Sequence, residues 1–471
     1  MEEITLSRKS RLRVESFEKS YSNDNKLGLT NEQVSSKSIH KFYLIIALCL
    51  SFVLAIGMPI FSEPDGQVHF ERSADIVGIY TDLTQYGEVK TKGGLTQQIE
   101  AYQKGEYFDK YYLTKMQFLD ESTQSISFLS YNYWGHLISG IGVWIGKLIY
   151  PSLGLMITIS RLFSSFIYSL IIYFLLRILK RGRLFFATLM LCPVVINQFA
   201  SLSYDSLSFV LAVAILTLAV NTVVDERLSL FKIFAMLFLS VFNYFAAKTN
   251  FVLLSLIFPV VLVYLWIKGK RLKSTVKLVF LALSFFILCL IGWILLTPYG
   301  GIFNFISRLW ITFVNNPATW IENQVPHTFL STFIAPYPRY NNMPIWLVTV
   351  WGGLLTAVCL SEEKFVEGKL LAYSALIIFI LNLLAVYQSF LSFKTSLLNG
   401  WSSSQYILGV QGRYSTAFYL LAIFVKAPFE ARLNIKKENM LFLMVALVSI
   451  LSSMLLLFNT VYGVLFIESW L

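Results

Sequence analysis

The sequence has few charged residues for its length. Only 14% of its 471 residues are Asp, Glu, Lys or Arg, and 56% are hydrophobic, whereas a soluble domain carries roughly 25% charged residues. No water-soluble surface can be built from so few charges. This composition excludes disorder, collagen, a coiled coil and a disulfide-stapled secreted domain. It leaves a chain whose solvent is mostly lipid.

Cysteine and local catalytic motifs are scarce as well. The four cysteines, at positions 49, 192, 289 and 359, lie inside apolar runs without metal-ligand spacing, so we interpret them as small buried hydrophobic residues. The sequence contains no Walker A motif, so we do not expect ATP-driven transport by this chain. It also lacks a G-x-S-x-G elbow and an H-E-x-x-H helix. Inside the apolar runs the main ionisable residue is Arg161.

What the sequence has instead is a series of apolar runs of membrane-spanning length. Eleven of them are predicted spans: roughly 42–61, 154–177, 184–200, 206–224, 231–247, 250–267, 275–297, 344–360, 370–393, 413–428 and 440–461. Residues 1–41 are polar and form a predicted cytoplasmic tail. The predicted domains are therefore this tail and one transmembrane domain over 42–471.

The positions of the basic residues decide the predicted topology. The net charge is +11, and three basic loops lie at 177–183, 268–277 and 426–439. A glycine-rich run at 132–150 either spans the membrane or lies in its interface as an amphipathic helix. The second assignment places all three loops inside with the N-terminus, as the positive-inside rule requires. The large polar loops then fall on the outer face, at 62–153, 298–343 and 394–412. Basic loops of this kind disfavour nucleic acid as a partner.

The turn after the first span carries several ionisable residues. Pro64 is predicted to start a helix, in which Asp65, His69 and Arg72 lie on one face at i, i+4 and i+7. A carboxylate held just above the bilayer beside an imidazole and a guanidinium suits a general base next to a phosphate-binding group. The simpler interpretation is an acid at a helix start on a solvated loop.

Other polar residues flank later spans. Asp205 is either the N-cap of the next helix or a second outer-face carboxylate. Lys248 either extends to lipid headgroups or contacts an anion such as a lipid phosphate. Arg413, followed by Tyr414, either anchors a headgroup or meets an oxyanion at a helix N-terminus. Aromatic and amide side chains in 298–343 suit a carbohydrate surface or an interfacial aromatic belt.

The order of these motifs resembles a known family. A first span is followed by the sequence PDGQVHF, then by Tyr204-Asp205, by Lys248 and by QGRY at the start of a late span. Over about 42–428 this order resembles the bacterial predicted membrane proteins of the domain-of-unknown-function 2142 family, which looks like a branch of the GT-C membrane glycosyltransferases. The usual first motif of that family is closer to Pro-Asp-Glu-Pro-x-His-Phe. Here Gly66 and Gln67 replace the second acid and the proline, with Glu63 close enough to substitute.

The resemblance implies an all-α polytopic membrane protein with a GT-C-like bundle of about 11 transmembrane helices. It also implies an outer-face glycosyltransferase in the cell membrane that uses a polyprenyl-phosphate sugar as donor and a cell-surface glycan, such as wall polysaccharide or teichoic acid, as acceptor. Asp65 would be the catalytic base, and Arg413 and Lys248 would hold the donor phosphate. The predicted substrate-binding residues are His69, Arg72, Asp205, Lys248, Arg413 and Tyr414.

Two alternatives belong to other functional classes. A transporter or flippase for a lipid-linked glycan would tolerate Asp65→Asn, and a non-catalytic assembly protein would tolerate changes at Asp65 and Arg413 alike. The scarcity of acids inside the spans weakens the transporter interpretation. Some related enzymes use a divalent cation, so a cation stays open, although Asp65 and Asp205 alone do not make a convincing metal site.

Overall fold

The described part of the molecule is a helical bundle with one short sheet. The computed structural model describes residues 38–86, 98–120, 126–269, 294, 296–313, 330–337, 341, 343–367, 369–391, 407, 410–428, 433 and 438–465. Most of the predicted cytoplasmic tail, and most of the predicted span 275–297, lie outside these residues. The predicted loops 298–343 and 394–412 are described in part.

Fourteen α-helices are numbered in chain order among the described residues. They are α1 Ser38–Gly57, α2 Gly66–Ile76, α3 Tyr131–Ile149, α4 Leu153–Ile178, α5 Arg183–Met190, α6 Pro193–Phe199, α7 Asp205–Asp225, α8 Leu230–Ala246, α9 Ile257–Gly269, α10 Gly301–Phe313, α11 Trp346–Ser361, α12 Leu370–Ser389, α13 Ala422–Val425 and α14 Glu438–Leu465. Two 3₁₀ segments, Thr249–Leu256 and Gly412–Leu421, run directly into α9 and α13.

Six segments among the described residues are long and apolar enough to cross a membrane. They are α1, α4, α7, Thr249–Lys268, α12 and the Met440–Gly463 part of α14, and α8 and α11 are shorter apolar helices. This confirms a multi-pass helical membrane protein. The predicted number of about eleven spans is not confirmed, because one predicted run lies largely outside the described residues and two others are interrupted.

The interrupted runs are 184–200 and 413–428. The first is divided into α5 and α6, because Pro193 has no N–H to donate and its ring excludes the preceding residue from the helical conformation. The second begins as the 3₁₀ segment Gly412–Leu421. The first run is entirely buried and the second is mostly buried, so their irregular backbone is packed within protein, where such backbone is tolerated at membrane depth.

The run predicted as an interfacial helix forms α3. Its glycines allow close backbone approach: a Cβ atom at Gly142 would lie 2.5 Å from the Ser160 Cα in α4, and one at Gly140 would lie 2.6 Å from the Ser73 carbonyl oxygen in α2. The helix is therefore packed tightly between α2 and α4. It is absent from the candidate spans among the described residues, and its location in the membrane interface stays a prediction.

The first large loop is folded and has its own small apolar core. Phe70 of α2, Val143 of α3 and Met156 of α4 are all fully buried in this cluster, which is separate from the main core of the bundle. A two-residue antiparallel pair, with β1 at Tyr80–Thr81 and β2 at Phe118–Leu119, closes the loop. This packing fixes the position of the turn that carries Asp65.

The described residues of several basic loops lie at one end of the bundle. Lys268 pairs with Glu226 at 2.6 Å, and Arg181 pairs with Glu363. Lys426 Nζ donates to the Cys359 carbonyl oxygen at 2.8 Å. Exposed ion pairs of this kind stabilise a protein by only about 0–1 kcal/mol each, but these contacts show that the described residues of the predicted inner loops share one end. The cytoplasmic orientation of that end stays a prediction.

The close approach of α3 to α4 predicts different effects of adding a methyl group at two glycines. Gly142→Ala places a Cβ atom against backbone, and overpacking of this kind costs about 1–3 kcal/mol. Gly353→Ala in α11 meets no atom within 4 Å, and alanine stabilises a helix by roughly 0.5–1 kcal/mol relative to glycine. In detergent, thermal unfolding should show a lower melting temperature for Gly142→Ala only. Equal melting temperatures for the two variants would contradict a close contact between α3 and α4.

Candidate functional site

The turn after α1 exposes the side chain of Asp65. This residue is the N-cap of α2 and has a left-handed backbone with φ 56°, a conformation that Asp adopts more readily than most residues. The helix thus begins at Gly66, two residues later than predicted. A Cβ atom at Gly66 would lie 2.8 Å from the Phe61 Cα, so the turn requires glycine there. The Asp65 side chain makes no cap hydrogen bond and is exposed.

Arg161 of α4 stabilises this turn by hydrogen bonds. Its guanidinium donates to the carbonyl oxygens of Met58 and Pro59 at 2.9 and 3.1 Å, and to Glu63 Oε2 at 2.5 Å. Both charged side chains are at least 96% buried. The arginine singled out as the main ionisable residue inside a span is therefore a structural anchor, and the Glu63 carboxylate is engaged in this ion pair.

Asp205 and Arg413 form a second buried ion pair. Arg413 Nε donates to Asp205 Oδ2 at 2.8 Å, and the two side chains are 2–3% exposed. The other guanidinium nitrogens donate to the Pro336 carbonyl oxygen at 3.0 Å and to the Tyr414 hydroxyl at 3.1 Å. Asp205 is not the N-cap of α7, because Tyr204 occupies that position. The Asp205 carboxylate is instead the ion-pair partner of Arg413.

Lys248 points toward the same region. Its Nζ lies 3.1 Å from the centroid of the Tyr414 ring and 3.5 Å from the Tyr204 hydroxyl. Burial lowers the pKa of Lys248 to about 7, with Asp205 and Asp65 opposing the shift and Arg413 adding to it. The Lys248 ammonium is therefore directed toward the Tyr414 and Tyr204 side chains.

A histidine pair completes the cluster. His69 Nδ1 lies 2.8 Å from His136 Nε2, and His136 Nδ1 lies 2.7 Å from the Asn132 carbonyl oxygen. Both imidazoles pack edge-on to the Tyr204 ring, at centroid distances of 5.0 and 5.6 Å. Arg72 is near enough for its charge to lower the pKa of His136.

All of the predicted site residues thus belong to one cluster: Asp65, His69, Arg72, Asp205, Lys248, Arg413 and Tyr414. Prediction from the sequence missed His136 and the central position of Tyr204. His136 is 67 positions from its partner, so no local spacing indicates the pair. Its occurrence beside glycines in an otherwise apolar run was the one available signal.

Two buried asparagine side chains stabilise the segment next to the cluster. Asn250 Nδ2 donates to the Tyr414 carbonyl oxygen and to Asn382 Oδ1, both at 2.8 Å. Asn382 Nδ2 donates in turn to Ser415 Oγ at 3.0 Å. These bonds hold the 3₁₀ segment that carries Arg413. As for metals, no group of three or more His, Cys, Asp or Glu side chains suited to an ion occurs within the part of the chain that the structure describes.

Comparison with known proteins identifies a family and nothing finer. The family model described as Predicted membrane protein (DUF2142) matches residues 48–425, a range that contains every residue of the cluster. No curated protein and no solved structure matches the chain.

The Arg161 ion pair predicts an asymmetry between two variants. Arg161→Met leaves the Glu63 carboxylate buried without its partner, and breaking a buried pair in this way costs about 3–5 kcal/mol. Glu63→Gln keeps an acceptor oxygen for the guanidinium and should cost less. Unfolding in detergent, followed by tryptophan fluorescence, gives both free energies. A milder effect of Arg161→Met than of Glu63→Gln would show that the turn does not depend on this arginine.

Proposed function

The chain belongs to the family Predicted membrane protein (DUF2142), and we propose that it is a membrane glycosyltransferase of GT-C type. It would move a sugar from a polyprenyl-phosphate donor to a cell-surface glycan. The observation that carries this proposal is the position of Asp65. Its exposed carboxylate is close enough to Lys248 and Tyr414 for its charge to raise the pKa of both side chains. A base and cations in one cluster match the two charges that such a reaction develops.

Asp65 is the proposed base. Within the described residues its carboxylate has no hydrogen-bond donor, while its backbone is fixed by the turn and by the bond from the His69 N–H at 2.9 Å. It would take the proton of the acceptor hydroxyl as that oxygen bonds to the anomeric carbon. The bond from the anomeric carbon to the donor phosphate oxygen breaks in the same step, and the lipid phosphate leaves with the electron pair.

Lys248 and Arg413 are proposed to stabilise the leaving phosphate. A guanidinium has five N–H donors, and Arg413 uses three of them in bonds to Asp205, Pro336 and Tyr414. The remaining donors and the ammonium of Lys248 supply positive charge that is held in place before reaction, which is how fixed groups lower a barrier most effectively. Asp205 orients the guanidinium.

The location of the cluster supports a lipid-linked substrate. The residues lie at the ends of membrane helices: after α1, at the start of α7, after α8 and at the start of the Gly412–Leu421 segment. α7 begins at Asp205 in the cluster and ends at Asp225, which pairs with Lys232 at the end where the basic loops meet. The cluster and the basic loops are thus at opposite ends. If the basic end is cytoplasmic, the proposed site faces outward.

One observation favours the second candidate, a transporter or flippase for a lipid-linked glycan. The broken segment α5–α6 contains buried Asn197 and Gln198, and within the described residues Gln198 Nε2 and Oε1 and Asn197 Oδ1 have no hydrogen-bond partner. Interrupted helices with free polar groups line the substrate sites of many transporters. This candidate gives Asp65 no chemical role.

Asp65→Asn separates the two candidates. The amide keeps the size of the side chain and cannot accept the proton, and loss of a general base lowers a rate by roughly 100- to 10,000-fold. We expect that cells in which the gene is deleted lose a surface-glycan sugar. Wild type should restore it and an equally expressed Asp65→Asn protein should not, as measured by sugar analysis of the purified glycan.

Asp120→Asn is the matched control, since Asp120 is an exposed acid of the same loop and should restore the sugar fully. Full restoration by Asp65→Asn would remove the transferase assignment and support transport.

The lowered pKa of Lys248 predicts a pH dependence of anion binding. Its ammonium should lose its proton as the pH rises through about 7, whereas arginine stays protonated. Undecaprenyl phosphate binding should therefore weaken from pH 6 to 8 in the wild type relative to Lys248→Arg. The ratio of the two dissociation constants cancels titration of the lipid itself. Parallel pH profiles for the two proteins would contradict a phosphate contact by Lys248.

A further inference from the structure

The contacts of the histidine pair determine which ring nitrogen of His69 carries no proton. A carbonyl oxygen only accepts hydrogen bonds, so the 2.7 Å contact with Asn132 places a proton on His136 Nδ1. A neutral imidazole has one N–H, and its other nitrogen is an acceptor. His136 Nε2 is then the acceptor of the 2.8 Å bond, and His69 Nδ1 is the donor. His69 Nε2 is left with a free lone pair.

The surroundings keep both rings neutral. Burial lowers the pKa of His69 well below its ordinary value, and His136, Arg413 and Lys248 lower it further. Burial lowers the pKa of His136 to about 4, with Arg72 acting in the same direction against the Asn132 bond. A further proton on the pair would add a charge that is both desolvated and close to three cations. The alternating donor and acceptor pattern therefore persists at neutral pH.

His69 is located between the proposed base and the proposed phosphate contacts. It is one helical turn after Asp65, and its ring packs on Tyr204, whose hydroxyl is 3.5 Å from Lys248 Nζ. No described atom donates a hydrogen bond to His69 Nε2. A bare nitrogen repels a phosphate oxygen, because both carry lone pairs, and it attracts an O–H group. The cluster thus offers donors on one side and an acceptor on the other.

We propose that His69 Nε2 accepts a hydrogen bond from a hydroxyl group of the sugar substrate, and that His136 is a positioning residue that holds His69 in the required tautomer. This inference rests on the proposed function, and it assigns the lone-pair side of the cluster to the carbohydrate and the cationic side to the lipid phosphate. In this assignment the ring only binds the hydroxyl, and the proposed proton transfer stays with Asp65.

The tautomer is tested without any assay of activity. The chain has four histidines, so selective ¹⁵N labelling of histidine gives a resolvable NMR spectrum of the purified protein in lipid. We expect His69 to carry its proton on Nδ1 in the wild type and to lose this preference in His136→Phe, where the acceptor is gone. His40→Phe, which removes a histidine outside the cluster, assigns one signal and should leave the His69 signal unchanged. A proton on Nε2 of wild-type His69 would overturn the proposal.

The hydroxyl contact is tested with two substitutions and one probe. His69→Gln supplies an amide oxygen that accepts a hydrogen bond, whereas His69→Phe supplies none. Both should bind undecaprenyl phosphate within about twofold of wild type. Sugar transfer in cells should fall by at least about tenfold in His69→Phe, the size expected for one lost buried hydrogen bond, and should recover in His69→Gln.

Arg413→Gln distinguishes failure of this inference from failure of the proposed function. Loss of undecaprenyl phosphate binding in His69→Phe as severe as in Arg413→Gln would show that His69 belongs to the phosphate side, which overturns the inference. Equal transfer by the Phe and Gln variants would overturn it as well. Wild-type lipid binding by Arg413→Gln would instead refute the phosphate site of the proposed function, and the NMR result would stand unaffected.

Discussion

The buried ion pair between Asp205 and Arg413 joins segments that are 208 positions apart in the chain. Burial of two charges is unfavourable unless they pair with good geometry and their remaining hydrogen-bonding groups are satisfied. Here Arg413 also bonds to Pro336 and Tyr414, which fixes the 3₁₀ segment against the start of α7. The second carboxylate oxygen of Asp205 has no partner within the described residues. The guanidinium is thus well satisfied, whereas the carboxylate leaves one buried acceptor oxygen unsatisfied in the cluster.

A second constraint acts on the turn that carries Asp65. Asp65 occupies a left-handed backbone conformation that few residues other than glycine adopt, and such a conformation persists only where its surroundings determine it. Arg161 supplies that determination by binding two carbonyl oxygens of the turn. The glycines of α3 allow α2 to pack closely behind it. The position of the exposed Asp65 carboxylate thus depends on a buried arginine that does not contact it within the described residues.

The sequence predicted the helices and the members of the cluster better than their pairing. Ionisable residues such as Asp65 and Lys248 are rare next to apolar runs because they are costly in a membrane. Their rarity identifies them in the sequence as candidate site residues. The run 184–200, which contains Pro193, is predicted as a single span because hydropathy does not register the backbone hydrogen bond that proline removes. The partners of Arg161 and His69 could not be predicted, since each contact depends on helix packing between distant positions.

The electrostatic character of the cluster follows from how these pairs use their charges. The charge of Arg413 is balanced by that of Asp205, and burial lowers the pKa of Lys248 to about 7. The region therefore presents hydrogen-bond donors without a large net positive charge. Burial lowers the pKa of His69, with His136, Arg413 and Lys248 acting in the same direction, which preserves an acceptor next to those donors. Burial of these groups in one cluster therefore favours both halves of the proposed recognition surface, because it fixes the donors in ion pairs and hydrogen bonds and lowers the pKa of the histidine that supplies the acceptor.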